Sequence, residues 1–93
     1  MIRVSVMYPK GDGKTFDIDY YKDQHMAIVH ENMGASRTEV DNCVDGPYMA
    51  IGHLYYDSME ALQAGMAGAA PALADIPNFT NAEPVMVTSE ILE

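Results

Sequence analysis

The sequence predicts an α+β domain of the ferredoxin-like kind, a four-stranded antiparallel sheet built in the order β-α-β-β-α-β. Three observations carry this expectation. Four stretches have the alternation or the β-branched and aromatic enrichment of strands. Two stretches repeat apolar residues at spacings of three and four, as helices do. The six fall in the split order of the ferredoxin-like motif, and 93 residues leave room for one domain, 1–93.

Ile2 to Tyr8 opens the chain as a strand. Ile2, Val4, Val6 and Tyr8 share one face, and Arg3, Ser5 and Met7 the other. The run Pro9-Lys10-Gly11-Asp12-Gly13-Lys14 stops it with turn chemistry. Phe16 to Met33 reads as one helix, with Ile18, Tyr21, His25, Ile28, Val29 and Asn32 on its inner face. Asp17 and Asp19 sit where the helix dipole favours acids, and Gly34 suits the left-handed residue that ends a helix. Ser36 to Cys43 is a polar strand, which suggests an edge. After the turn Val44-Asp45-Gly46-Pro47, Tyr48 to Tyr56 is a strand with Ala50, Gly52, Leu54 and Tyr56 opposed to Met49, Ile51, His53 and Tyr55. Asp57 to Glu60 resembles a capping box with Asp57 as the N-cap. The second helix turns Leu62, Met66, Ala69 or Ala70, and Leu73 inward, and Pro71 breaks it. Pro77-Asn78 is a turn, and Glu83 to Ile91 the last strand.

Two helices cover only one face of such a sheet. If they cover the Ile2/Val4/Val6 face, Met7, Met49, Ile51, Tyr55 and Met86 are left bare, a patch that signals an interface. A second copy packed sheet to sheet is the simplest cover. It also relieves the thin core of a chain that buries only roughly 60–65% of its unfolded surface.

Composition narrows the function. Hydrophobic residues make up 48% of the chain and charged residues 20%, enough to collapse. Fourteen acids against five bases give a net charge of −9, which argues against nucleic acid and against anionic membranes. One cysteine, Cys43, excludes an intrachain disulfide framework and a cysteine-based zinc site. No apolar run is long enough to span a bilayer, and no signal peptide is evident, so a cytoplasmic protein is expected.

Three segments resemble the EthD-like proteins: Phe16-Asp17-x-Asp19-Tyr20-Tyr21-x-x-x-His25-Met26, then Ala50-Ile51-Gly52-His53-Leu54-Tyr55-Tyr56-Asp57-Ser58, then Asp75-Ile76-Pro77-Asn78-Phe79-Thr80 with Glu83-Pro84-Val85. The resemblance covers nearly the whole chain. It implies a dimeric α/β barrel, two ferredoxin-like sheets closing on each other with helices outside. Similar barrels serve quinone-forming monooxygenases, polyketide cyclases, muconolactone isomerases and haem-binding relatives, so the fold fixes architecture rather than reaction. The family carries Pro-Leu after its His-Met pair, where this chain has Ala27-Ile28.

His25 is the first candidate for chemistry. It lies on the apolar helix face in line with Tyr21, where an imidazole suits a general acid or base, and the resemblance places it in the cleft between helix and sheet. A core histidine with a satisfied hydrogen bond is the plainer alternative. Tyr21, the second catalytic candidate, would orient an oxygen. Tyrosines also fill small cores because they bring a large buried area with a polar tip. Tyr8, Tyr20, His53, Asn78 and Phe79 are candidate substrate contacts. His53 joins His25 only if it lies on the helix side of the sheet, and Asn78 and Phe79 serve equally as a turn or a dimer contact. His30 falls off the His25 face, and no metal site or cofactor is expected.

The expected function is a cofactor-independent enzyme moving a proton on a hydrophobic aromatic or polyketide-like molecule, as an isomerase, cyclase or monooxygenase. The alternatives are a non-catalytic binding or accessory protein for a lipophilic metabolite or a degradation monooxygenase system, and a purely structural dimer.

Overall fold

The protein, described over residues 1–93 by a computed structural model, folds as predicted into one antiparallel sheet with helices on one side. Its strands are β1 (Ile2–Pro9), β2 (Arg37–Asn42), β3 (Tyr48–Tyr56) and β4 (Val85–Glu90), in the spatial order β2-β3-β1-β4. The polar strand β2 is indeed an edge. The helices are α1 (Ile18–Tyr20), α2 (Met26–Met33), α3 (Met59–Met66) and α4 (Ala70–Asp75).

Alternation on the two central strands sets the core. Ile2, Val4 and Tyr8 of β1 and Ala50, Leu54 and Tyr56 of β3 are buried beneath the helices, and the pairings Val4↔Leu54 and Tyr8↔Ala50 align them. Tyr56 buries its ring there and donates its hydroxyl to the Met33 carbonyl at 2.9 Å, satisfying one of the free carbonyls at the end of α2. Gly34 follows in the left-handed conformation, φ 61°, as the sequence implies.

The first helix is not one regular α-helix. Between α1 and α2 the chain makes a π-helical turn, Tyr21–His25, closed by a bond from the Met26 N–H to the Tyr21 carbonyl. A π turn accommodates one residue more than an α turn. The inner face therefore shifts beyond His25: Met26, Val29 and Met33 are buried, while Asn32 is exposed and bonds back to the Ile28 carbonyl.

Two smaller expectations are corrected, and one holds. Ser58, not Asp57, caps α3 by accepting from the Ala61 N–H at 3.1 Å, and Asp57 instead accepts from the Ser36 hydroxyl. The break expected at Pro71 is present: the second helix ends at Met66, and Pro71 sits in the first turn of the short helix α4, where its missing N–H costs nothing. Ala72 is the buried apolar residue of α4, and Leu73 remains 55% exposed.

The open face of the sheet also differs from a uniform apolar patch. Met86 lies opposite Val6 and so faces the helices, while Val85 and Val87 pair with Met7 and Ser5 on the open side. Toward β2 that side is polar. Arg37 bridges Glu39 at 3.0 Å and stacks its guanidinium 3.8 Å from the Tyr55 ring centre. The Tyr55 hydroxyl donates to Glu39, and with Arg37 it holds that carboxyl below the usual range. The open side is thus half charged and half apolar, because β2 carries its acids and Arg37 on the face away from the helices.

Candidate functional site

The π turn brings Tyr21 and His25 to the sheet together. Their rings stack with centres 5.1 Å apart and planes 17° from parallel. Both are buried, and His25 is only 5% exposed. Tyr21 reaches far inward because residue 52 is glycine: a Cβ there would fall 1.9 Å from the Tyr21 hydroxyl.

The segment after α4 completes the site. It runs through a 3₁₀ turn, Ile76–Asn78, and is pinned to the start of the first helix. The Asp17 N–H donates to the Phe79 carbonyl at 2.8 Å, and the Thr80 hydroxyl to the Thr15 carbonyl at 2.6 Å. Phe79 is thereby held at the centre of an aromatic cluster, 4.6 Å from the His25 ring and 4.9 Å from Tyr21 between ring centres. Asp75, at the end of α4, meets the His25 Nδ1 through Oδ2 at 2.9 Å. Its Oδ1 accepts from the Tyr20 hydroxyl at 2.7 Å and from the Asn78 amide at 2.9 Å.

Asp75 is the residue that sequence reasoning missed. Its one distinguishing mark is its place, a lone acid in the apolar stretch Ala72-Leu73-Ala74-Asp75-Ile76-Pro77. It is 7% exposed. Burial acts to raise its pKa, but the donors Asn78, Tyr20 and His25 together outweigh burial and hold the carboxyl below its usual range. The carboxylate in turn raises the Tyr20 phenol.

A cavity of about 290 Å³ lies between helices and sheet. Its wall includes Val4, Val6, Leu54, Met26, Met66 and Met86, and Tyr8, Tyr21 and His25 are the only lining residues whose side chains carry oxygen or nitrogen. Burial pushes the Tyr8 phenol up to about 12, against a small opposing effect of the neighbouring Tyr21 hydroxyl. Burial, and then Tyr8, raise Tyr21 further still. Both phenols stay protonated at any ordinary pH and can act only as neutral hydrogen-bonding groups. A wider, open groove runs from Thr15 to Ile18 and from Pro77 to Asn81, on the far side of Phe79. It contains neither His25 nor Tyr21, so the cleft between helices and sheet is the candidate site.

Of the residues singled out from sequence, His25, Tyr21 and Tyr8 line the cleft. Tyr20 and Asn78 do not line it and instead hold Asp75. Phe79 packs against His25 from behind the cleft wall. His53 is on the opposite side of the sheet, between the Ser5 hydroxyl at 2.9 Å from Nδ1 and Asp41 at 2.7 Å from Nε2. Strand alternation separates it from His25, because Gly52 and Leu54 occupy the helix side. His30 is exposed and contacts the Thr38 hydroxyl. No three His, Cys, Asp or Glu side chains converge as metal ligands do, and no helix is long and apolar enough to cross a membrane.

Fold and cleft together define a small α+β protein with a buried imidazole on the wall of an apolar pocket and a carboxylate bonded to it. No protein-family model matches the chain, and no curated protein matches it. Solved structures do. An EthD-like protein from Ralstonia eutropha JMP134 is 34% identical, with 99% of this chain and 92% of that chain covered and a TM-score of 0.90. At that identity and coverage, the chain belongs to the EthD-like family. An ethyl tert-butyl ether D (EthD) family protein from Bacillus halodurans C-125 is 18% identical, over 99% of both chains, with a TM-score of 0.77. HapK from Hahella chejuensis is 13% identical, over 99% of this chain and 93% of that one, with a TM-score of 0.67. These last two share the fold.

Proposed function

We propose that the protein is a cofactor-independent enzyme that moves a proton on a hydrophobic, oxygen-bearing small molecule held in the cleft. His25 is the group that moves the proton, and Tyr21 and Tyr8 orient an oxygen. The reaction belongs to the isomerase, cyclase or cofactor-free monooxygenase type, on an aromatic or polyketide-like substrate. The observation that carries this reading is His25, bonded to Asp75, in a cavity wall whose other lining side chains are apolar apart from Tyr8 and Tyr21. A purely structural core has no need of a buried imidazole bonded to a carboxylate beside a cavity of about 290 Å³.

Mass spectrometry of small molecules released from the purified protein should identify a lipophilic, oxygen-bearing ligand. His25→Ala should keep the circular-dichroism spectrum and convert that ligand at least about 100-fold more slowly. Unchanged turnover in the variant would remove His25 from the chemistry. The second reading is a carrier or accessory role for the same ligand. The scarcity of polar groups in the cleft favours it, and it is the outcome if the wild-type protein returns the ligand unaltered.

The working unit in this proposal is a homodimer joined through the open sheet faces. Val85 and Val87, exposed at 44% and 42%, supply its apolar half. Val87→Asp should turn a dimer into a monomer in sedimentation velocity, and an equal mass for wild type and variant would refute that interface.

A further inference from the structure

The orientation of the His25–Asp75 pair says which way the proton moves and from what kind of atom. Asp75 is ionised, since its donors hold it below the usual carboxylate range. An ionised carboxylate only accepts hydrogen bonds. The His25 Nδ1 that lies 2.9 Å from Asp75 Oδ2 therefore carries the proton. Nδ1 makes the only hydrogen bond of the ring, so in the neutral imidazole Nε2 keeps a free lone pair. The same cavity wall carries two protonated phenols, Tyr8 and Tyr21, with ring centres 5.6 Å apart. A base beside two neutral donors, in a cleft with no cation, fits a substrate that starts neutral and develops a negative oxygen.

We propose that Asp75 is a positioning residue that presents His25 Nε2 as a base to a carbon–hydrogen bond beside a carbonyl, with the Tyr8 and Tyr21 hydroxyls donating to the carbonyl oxygen. The substrate class is a hydrophobic, uncharged, enolisable ketone. The proposal rests on the proton-transfer reading above and narrows it to one reaction class. In the step, Nε2 takes the proton and the C–H electron pair becomes a carbon–carbon double bond. The carbonyl π pair moves onto oxygen, which accepts from a phenol. The resulting imidazolium is balanced by Asp75 through Nδ1–H. Return of the proton to another carbon of a conjugated system isomerises the ketone, and attack of the enolate carbon on a second carbonyl of the same molecule closes a ring, the π pair of that carbonyl moving onto its oxygen, which takes the proton back from Nε2. Neither outcome consumes an oxidant or a cofactor.

Asp75→Asn tests the positioning role almost without change in volume. Tyr20 and Asn78 both donate to Oδ1, so the amide oxygen of the variant stays on their side. Its NH₂ group then faces His25 and donates to Nδ1, which drives the imidazole proton onto Nε2 and removes the base. Long-range ¹H–¹⁵N correlation spectra should show Nδ1–H in the wild type and Nε2–H in Asp75→Asn. The tautomer reads the hydrogen bond itself, and proton exchange of a ketone is the readout that a merely structural carboxylate would not move. The chemical probe is 2-tetralone in deuterated buffer at neutral pH, followed by NMR at its C1 position. The wild-type protein should speed exchange there by about 100-fold or more over buffer, and Asp75→Asn should lose most of that gain. An Nε2–H tautomer in the wild type overturns the proposal even if the variant does not fold. An Asp75→Asn variant with unchanged tautomer or unchanged exchange also overturns it. If tetralone shifts the Met26 and Leu54 resonances but does not exchange, enolisation is refuted while the pocket survives as a small-molecule site. If it neither binds nor exchanges, the ketone substrate class is refuted. In either case, slower turnover of the co-purified ligand by His25→Ala would still support the broader proton-transfer role, so the two failures are distinguishable.

Discussion

Replacing Phe79 with alanine is expected to cost about 3–5 kcal/mol, a large share of the stability of a domain this small. Phe79 is 4% exposed. It makes edge or tilted contacts with Tyr8, Phe16, Tyr21 and His25, with ring centres between 4.6 and 5.6 Å away. Such contacts add to the area that the ring buries. The backbone around it is fixed by the Phe16↔Thr80 bridge, so collapse into the space is restricted and the cavity term should be nearly complete. The loss should appear in urea unfolding as a lower midpoint with an unchanged slope. Phe79→Leu keeps most of the volume and should cost about 1.5 kcal/mol or less. His25 should report the difference too. With Phe79 gone, one side of the imidazole is unsupported, and its ring resonances should broaden at a denaturant concentration where Phe79→Leu remains sharp. A cost below about 1 kcal/mol for the alanine variant would show that this cluster is not a core.

Strand alternation made most of the sheet legible in the sequence. Period-two patterns in Ile2 to Tyr8 and in Tyr48 to Tyr56 sort each strand into two faces, and the register Val4↔Leu54 agrees, but which face the helices cover is settled only by the fold. The polar run of β2 marked an edge for the same reason, since two buried faces would not tolerate Arg37, Glu39 and Asp41. On β4 nearly all residues are exposed, so alternation alone does not say which set faces inward. Only the pairing with β1 settles that Met86 is on the helix side and Val87 on the open side. The π turn is invisible for a related reason. Spacings of three and four describe an α-helix, and one extra residue shifts the face without altering the composition.

The site was half legible. Tyr21 and His25 stand out as polar groups on an apolar face. Asp75 does not, because the chain has fourteen acids, and a lone acid in an apolar stretch does not by itself say which partners it meets. What makes Asp75 special is tertiary: three donors, Tyr20, His25 and Asn78, converge on it from two segments of the chain. His53 shows the converse. It has a histidine's chemical promise, and it is held between a hydroxyl and a carboxylate on a sheet face that the cleft never reaches. The acidity of the chain, by contrast, is almost entirely a surface property, since Asp75 is the one acid among the buried residues.

Gly52→Ala should be the most damaging small substitution in the sheet, and its effect should depend on one oxygen atom. The added Cβ would stand 1.9 Å from the Tyr21 hydroxyl oxygen and 3.1 Å from the ring carbon that bears it. The first distance is impossible and the second merely tight. Tyr21 is too enclosed to swing away, being 1% exposed and packed against Tyr8, Phe16, His25 and Phe79. Overpacking of this kind costs about 1–3 kcal/mol, and here the displaced ring stacks on His25, so the cleft should deform with it. Tyr21→Phe removes the offending oxygen and leaves the 3.1 Å contact, which small shifts can absorb. The double variant Tyr21→Phe/Gly52→Ala should therefore be more stable than the sum of the single changes by about 1–2 kcal/mol, a coupling well outside the additivity expected of independent sites. Urea unfolding of the four proteins in the cycle measures it directly. Additive costs would mean that Tyr21 does not lie over Gly52, and the inward reach of the phenol, on which its contact with a bound oxygen depends, would be lost with it.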